Sequence, residues 1–129
     1  MAEYKSSVEI QTHTAAADLS AHQYNAVMYV AAGQINVGSA STLHNYVGIL
    51  ANKPEAQGRA ASVAVDGDFK ARAGAAVASY GVPLTPNGSG RLVLSTSGNI
   101  VVATALETAA ADGNIISVRL QKPYRIGPY

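Results

Sequence analysis

The chain has 129 residues, a length that fits one domain, and its 9 basic and 8 acidic side chains leave a formal charge of +1. Nucleic-acid-binding domains carry a clear basic excess, so this balance argues against nucleic acid as a partner. The chain has no cysteine, which excludes disulfides, thiolate catalysis and cysteine-ligated zinc. The first residues lack the apolar region of a signal peptide, and no apolar run approaches the ~20 residues of a membrane span. We therefore expect a protein made in the cytoplasm, with no membrane partner.

The apolar residues of this chain are mostly small. Alanine accounts for 24 residues, whereas Leu, Ile, Val and Phe together number 29 and there is no Trp. That share of larger apolar residues is just above the roughly 20% below which chains tend to be disordered. A core of small side chains can fold at this length, but it predicts that neighbouring subunits contribute part of the stability.

Residues 1–18 predict an extended N-terminal arm. In the stretch SVEIQT, apolar and polar residues alternate, which is typical of a β-strand. A strand of this length is not stable by itself, so we expect it to add to the edge of a sheet on another chain. The alternative is a disordered tail. The candidate contact residues of the arm are Tyr4, Val8, Ile10 and Thr12.

Residues 19–120 predict a single β-rich domain made of two similar units of ~55 residues, 19–73 and 74–120. Residues 101–120 (VVATALETAAADGNIISVRL) align without a gap on residues 46–65 (YVGILANKPEAQGRAASVAV). The alignment places Gly113 on Gly58 and Val118 on Val63. Strand breaks at short, regular intervals favour a small β-barrel or sandwich.

Turn residues divide this domain into short strands. The predicted strands are 27–30, 35–37, 46–50, 60–65, 82–85, 92–94, 100–105 and 116–120. Asp66-Gly67-Asp68 predicts a hairpin turn before Phe69. Pro54–Gln57 and Thr108–Asp112 predict one short helical turn each, ended by a left-handed glycine, with a plain loop as the alternative.

No residue pattern indicates catalysis or a metal site. The three histidines, His13, His22 and His44, have none of the spacings of metal ligands. The run from Asp66 to Asp68 begins like a calcium loop, but the later ligands and the terminal Glu are missing. Serine-nucleophile motifs and phosphate-binding loops are also missing. We expect a protein that is not an enzyme and that has no metal and no cofactor.

Residues 121–129 (QKPYRIGPY) predict a C-terminal tail. Pro123, Gly127 and Pro128 disfavour a helix or a central strand. Tyr and Arg are residue types that anchor protein interfaces. The candidate anchors are Tyr124, Arg125, Ile126 and Tyr129. Two tails that carry such anchors are typical of a protein that works in an assembly.

Two stretches of the chain resemble known virion proteins. Residues 46–77 (YVGILANKPEAQGRAASVAVDGDFKARAGAAV) are similar to the central segment of the lambda-type head decoration proteins. Residues 90–120 (GRLVLSTSGNIVVATALETAAADGNIISVRL) are similar to the C-terminal part of a wider set of capsid cement proteins of tailed bacteriophages. The resemblance implies a compact β-rich fold, often called a β-tulip, and homotrimers on the outer surface of an icosahedral head.

The function implied by the resemblance is that of a virion protein, made in the host cytoplasm, that stabilises the mature capsid by clamping neighbouring major capsid protein subunits. Its N-terminal arm, here Ser7–Thr12, is implied to add a strand to those subunits. One alternative is another virion component, such as a head fibre or tail-tube protein. Another is a small β-barrel module that binds sugar or peptide, although the chain has no Trp and a single Phe for stacking on sugars.

Overall fold

A computed structural model describes residues 8–37, 46–95 and 100–125, with side chains up to Lys122. The described residues form nine strands and no helix, which confirms the mostly β class. The strands are β1 (Val8–Ala15), β2 (Ala26–Ala31), β3 (Gln34–Val37), β4 (Tyr46–Leu50), β5 (Ala60–Arg72), β6 (Pro83–Pro86), β7 (Leu92–Leu94), β8 (Ile100–Ala105) and β9 (Ile115–Arg125). Each predicted strand coincides with one of these, and β5 and β9 extend beyond the prediction.

All nine strands belong to one sheet, in the order β1-β3-β2-β4-β5-β9-β8-β6-β7, and an additional β1–β5 pairing closes the first five into a small barrel. β1 runs antiparallel to β5 from Val8, opposite Gly67, to Thr14, opposite Ala60. It runs parallel to β3 for two residues only. The apolar interior of the barrel consists of Ala15, Leu19, Val27, Ile35, Leu50, Ala61 and Val63.

The second half of the chain repeats much of this arrangement, including several of its hydrogen bonds. In the barrel, the N–H of Ala15 donates to the carbonyl of Arg59 at 2.9 Å, and in the second half the N–H of Ala73 donates to the carbonyl of Asn114 at 2.7 Å. Every interior residue of the barrel has a buried counterpart there. In the same order, the counterparts are Ala73, Val77, Leu84, Leu92, Ala105, Ile116 and Val118.

These equivalences make β5 a strand that both halves share. Its residues 60–65 are the last strand of the first half, and its residues 67–72 pair with β9 as β1 pairs with the start of β5. We call residues 8–65 unit 1 and residues 66–125 unit 2. The sequence placed the division after residue 73 and left residues 1–18 outside the repeat. The observed pairing instead makes β1 the first strand of unit 1.

Asp66-Gly67-Asp68 lies inside β5, so the predicted hairpin turn is wrong. The φ angle of Gly67 is +97°, and the β1–β5 register shifts between Glu9 and Ile10, beside this glycine. A positive φ and a shifted register are the marks of a β-bulge, which bends the strand that contains it. The glycine therefore lies where β5 passes from unit 1 to unit 2.

The two connectors that were predicted as helical turns, Pro54–Gln57 and Thr108–Asp112, are not helical. Each ends in a single reverse turn, closed by a hydrogen bond from the fourth residue's N–H to the first residue's carbonyl, at 3.2 and 3.3 Å. The third residue of each turn has a positive φ, at Gly58 and Gly113. Because one reverse turn already returns the chain to the sheet, no further helical residues are formed.

The C-terminal segment does not leave the sheet at residue 121, because β9 continues to Arg125. Tyr124 lies opposite Val101, and Leu120 lies opposite Ala103, so two extra residues on β9 form an irregularity between these pairs. Pro123 lies in this irregularity, where a missing N–H is tolerated. The prediction that this segment is not a central strand is therefore wrong up to Arg125, since β9 lies between β5 and β8.

A turn of unit 2, residues 87–90, holds the two units together. The N–H of Ala26 donates to the carbonyl of Gly90 at 2.6 Å, and Nδ2 of Asn25 donates to the carbonyl of Ser89 at 3.3 Å. Gly90 has a φ of +80°, and a Cβ atom at this position would lie 2.6 Å from the carbonyl oxygen of Ala26. Glycine is therefore needed here both for its conformation and for the close approach of the two backbones.

Candidate functional site

β1 buries few of its side chains. All four residues from Glu9 to Thr12 are exposed, and Ala15 is the single fully buried residue of the strand. β1 is therefore held mainly by backbone pairing with β5, and most of its residues remain accessible to solvent. Its residue types still favour a strand, since β-branched residues alternate with polar ones.

The hydrogen bonds at the end of β1 show which way its backbone groups point. The N–H of Ala15 donates to Arg59, on the β5 side, whereas the N–H of Thr14 donates to Gly33, on the β3 side. Because backbone groups alternate along a strand, those of Ile10 and Thr12 point away from β5, in the same direction as those of Thr14.

Nothing in the described ranges pairs with this side of β1 before Thr14. β3 begins at Gln34, opposite Thr14, and so does not reach Ile10 or Thr12. We call the outward N–H and carbonyl groups of Ile10 and Thr12 the β1 edge. Such an edge is a template on which an extended segment of another chain can form a further strand.

Exposed apolar side chains lie on β1 and on the nearby β2–β3 hairpin. Ile10 is 44% exposed, and the end of the β2–β3 hairpin contributes Tyr29 (39%) and Val30 (53%). The ring of His13 packs edge-on against Tyr29, with centroids 5.5 Å apart. Open backbone groups beside exposed apolar side chains are the two components of strand addition: the first supply hydrogen bonds and the second supply pockets for side chains.

The groups with shifted pKa values lie outside the β1 edge. The backbone N–H of Ser20 and its hydroxyl both donate to Oδ1 of Asp18, at 2.9 and 2.7 Å, and these bonds lower the pKa of that carboxyl. Burial raises the pKa of Tyr46. Neither residue belongs to the edge, which contains backbone groups alone.

The structure separates the two sets of residues predicted as contacts. Ile10 and Thr12 lie on the β1 edge, whereas Val8 is half-buried and packs against the cluster of buried residues that includes the interior of unit 2. Tyr124 and Arg125 lie opposite Val101 and Ile100 of β8, on the far side of β5 from β1. The remaining residues, Tyr4, Ile126 and Tyr129, lie outside the described ranges.

The sequence did not single out the hairpin residues Tyr29 and Val30 or the contact of His13 with Tyr29. Tyr29 lies on the barrel-facing side of a correctly predicted strand, opposite Ile35. Alternation alone predicts that it is buried. It is exposed because it lies near the open end of the barrel, and the position of that end depends on strand register.

Within the ranges that the structure describes, no group of three or more His, Cys, Asp or Glu residues is placed to hold a metal ion. His44 lies outside those ranges. In the same part of the chain, no helix is long and apolar enough to cross a membrane.

A family model of phage cement proteins matches residues 9–120. The chain belongs to the phage cement protein family. It is therefore a structural protein of the phage virion, associated with the head. The lambda-type assignment stays a prediction, and so do the β-tulip and the trimer.

The fold is similar to that of a head fibre protein, in a crystal structure of the gp8.5 N base of bacteriophage phi29. The TM-score is 0.61 at 19% sequence identity, over 95% of this chain and 100% of that chain. At this identity the likeness shows the fold alone. None of the curated proteins matches the chain significantly.

Proposed function

We propose that this cement protein binds the outer surface of an icosahedral phage head and stabilises the mature capsid by clamping neighbouring major capsid protein subunits. The observation that carries the proposal is the match of residues 9–120 to the cement family. The β1 edge offers a way to make the contact: a capsid protein segment adds as a strand beside Ile10 and Thr12, with its side chains against Tyr29 and Val30.

The mechanism is thermodynamic. A protein that binds the mature shell and not the loosened one stabilises the shell by RT ln(1 + [L]/Kd) for each site. Since a head offers many equivalent sites, small contributions add up over the shell. A homotrimer would let one molecule hold several subunits at once, which increases the effective concentration of each contact.

The test of the strand-addition contact is the substitution Thr12→Pro. Proline removes the outward N–H of Thr12 and leaves every observed β1–β5 bond in place, so the fold is retained and binding to expanded shells is lost. Thr12→Val is the matched control, because it keeps both the N–H and the branched shape. Sedimentation of each variant with purified expanded shells measures the binding.

If Thr12→Pro decorates shells as well as Thr12→Val does, the β1 edge is not the contact. Deletion of residues 1–7 then tests the preceding segment without removing a barrel strand. The longer deletion of residues 1–17 is unsuitable, since it removes β1 and with it the closure of the barrel. The mass of the purified protein in solution tests the trimer.

A second candidate role is the base of a head fibre. The likeness to the gp8.5 N base favours it, because the alignment spans all of that chain. Electron microscopy of virions with labelled protein separates the roles. An even coat over the head faces supports the cement role, and label at the foot of sparse fibres supports the fibre base.

A further inference from the structure

The strand pair formed by β5 and β9 has an outward face with a net positive charge. In an antiparallel pair, residues directly opposite each other lie on the same side of the sheet. The opposing pairs on this face are Asp68 and Arg119, Lys70 and Ser117, and Arg72 and Ile115. We call these six residues the unit 2 face. The 3.0 Å ion pair between Arg119 and Asp68 agrees with this placement.

The equivalent face of unit 1 has no charge. Its opposing pairs are Ile10 and Ala64, Thr12 and Ser62, and Thr14 and Ala60. The unit 2 face has three cations and one carboxylate, although the whole chain has a formal charge of only +1. Because the two units share their backbone arrangement, the fold does not require these cations. They are a property of the unit 2 sequence.

Exposed apolar residues border the unit 2 face. The N–H of Leu106 donates to the carbonyl of Ser117 at 3.0 Å, which places Leu106 beside the face. Tyr80 precedes Gly81, whose N–H donates to Ala105 at 2.7 Å, so Tyr80 lies near Leu106. Tyr80, Leu106 and Ile115 are 76%, 37% and 43% exposed. Their counterparts in unit 1 are Gln23, Ala51 and Ala60.

A groove of about 400 Å³ opens at the same place, lined by Tyr24, Asp68, Phe69, Lys70 and Ser117. The rings of Tyr24 and Phe69 are in contact, with centroids 5.9 Å apart. Tyr24 has a φ of +73°, and its counterpart in unit 2 is Gly81, with a φ of +83°. This conformation suits glycine and disfavours tyrosine. Unit 1 therefore places an aromatic ring at this groove despite a conformational cost.

We propose that the unit 2 face and its groove bind an acidic polypeptide segment with interleaved apolar side chains, contributed by a protein other than this one. Carboxylates of the segment pair with Lys70 and Arg72, and apolar side chains contact Leu106 and Tyr80. A second copy of this chain presents the same cations, so the two faces repel each other. The exposed apolar border favours a polypeptide over a phosphate backbone. This surface lies on unit 2, and the proposal does not depend on the β1 edge.

The test uses the full chain and a fluorescent peptide of about ten residues in which Glu and Leu alternate, since that length covers a strand. Anisotropy measures Kd, and NMR chemical shifts locate the contact at the unit 2 face. Lys70→Glu raises Kd about fivefold or more, in the range expected for reversing one exposed ion pair. Leu106→Ser raises Kd about threefold. Lys53→Glu, an equal change of charge at an exposed position of unit 1, leaves Kd unchanged.

Four outcomes overturn the proposal. The first is equal affinity for a neutral Gln–Leu peptide, which would mean that charge is not recognised. The second is tighter binding of a short DNA duplex, which would make the surface a phosphate site. The third is an equal response of Kd to Lys53→Glu and Lys70→Glu. The fourth is an absence of shifts at the unit 2 face with peptide in excess. Circular dichroism confirms that each variant is folded.

Discussion

At the scale of single residues, Gly90 has the strongest structural requirement among the glycines of the described turns. It needs a positive φ, and a Cβ atom would lie 2.6 Å from a backbone oxygen of unit 1 that cannot move away freely. We expect Gly90→Ala to lower the free energy of unfolding by about 3 kcal/mol or more, because the strain of the conformation and the separation of the units add together. Urea denaturation measures the loss.

Gly58→Ala is the matched control for Gly90→Ala. Gly58 also has a positive φ, of +91°, but nothing lies within 4 Å of an added Cβ. The substitution therefore costs the conformational strain alone, about 1 kcal/mol. Equal losses at the two positions would show that the close approach of Gly90 to Ala26 contributes nothing.

The buried Tyr46 makes the free energy of unfolding depend on pH in the alkaline range. Burial raises its pKa in the folded protein, whereas the unfolded chain loses the proton near the ordinary value of about 10. Its contribution is thus fully present below about pH 10 and is lost as pH rises further, because the unfolded state then binds fewer protons. We expect the urea midpoint of the natural protein to fall between about pH 9 and about pH 11, and that of Tyr46→Phe to fall less. Parallel pH profiles of the two proteins would contradict this.

The sequence identified most turn glycines but misassigned Gly67. A glycine between two aspartates has the same local signature in a hairpin turn and in a bulge. The difference lies in the partner strands: Gly67 lies opposite Val8 of β1 on one side and opposite Leu120 of β9 on the other. Pairing over such distances along the chain is not encoded in the neighbouring residues.

At the scale of elements, the geometry of β1 predicts that its backbone N–H groups are alternately protected from hydrogen exchange and open to it. The N–H groups of Gln11 and His13 point towards β5, and those of Ile10 and Thr12 point outwards. We expect hydrogen exchange at Ile10 and Thr12 to be much faster than at Gln11 and His13, because open edges exchange without any unfolding. NMR-detected exchange of the free protein measures this. Equal protection at all four positions would show that the β1 edge is already occupied.

Local patterns predicted that β1 is a strand, but not that its partner is in the same chain. The repeat was visible where residues 46–65 align on 101–120, yet at the first strand of each unit only Ala15 and Ala73 are identical. Exposed residues diverge freely, so β1 and the second half of β5 show no recognisable similarity. Of the candidate site, Ile10 and Thr12 could therefore be predicted from the sequence, whereas the closed barrel that holds them could not.

At the scale of the whole molecule, the chain is a duplicated unit whose copies share a strand and differ in their surfaces. Each of the seven interior residues of the barrel has a buried counterpart in unit 2, with size changes such as Leu50 to Ala105. The outward faces do not correspond, since one is neutral and the other cationic. Packing constrains the interiors in the same way, whereas the surfaces are free to become specific for different partners.

Because β5 belongs to both units, we expect the molecule to unfold in one cooperative step. Leu50→Ala removes a fully buried side chain from unit 1 and costs about 3 kcal/mol. The loss should lower the urea midpoint of unit 2 as much as that of unit 1, because neither unit keeps its sheet without the shared strand. NMR signals of Val63 and Val118 report the two units separately.

Leu106→Ala, at an exposed leucine, is the control and costs less than about 1 kcal/mol. If Val118 kept its original midpoint in Leu50→Ala, the units would be independent, and the shared strand would join them in sequence without coupling their stability.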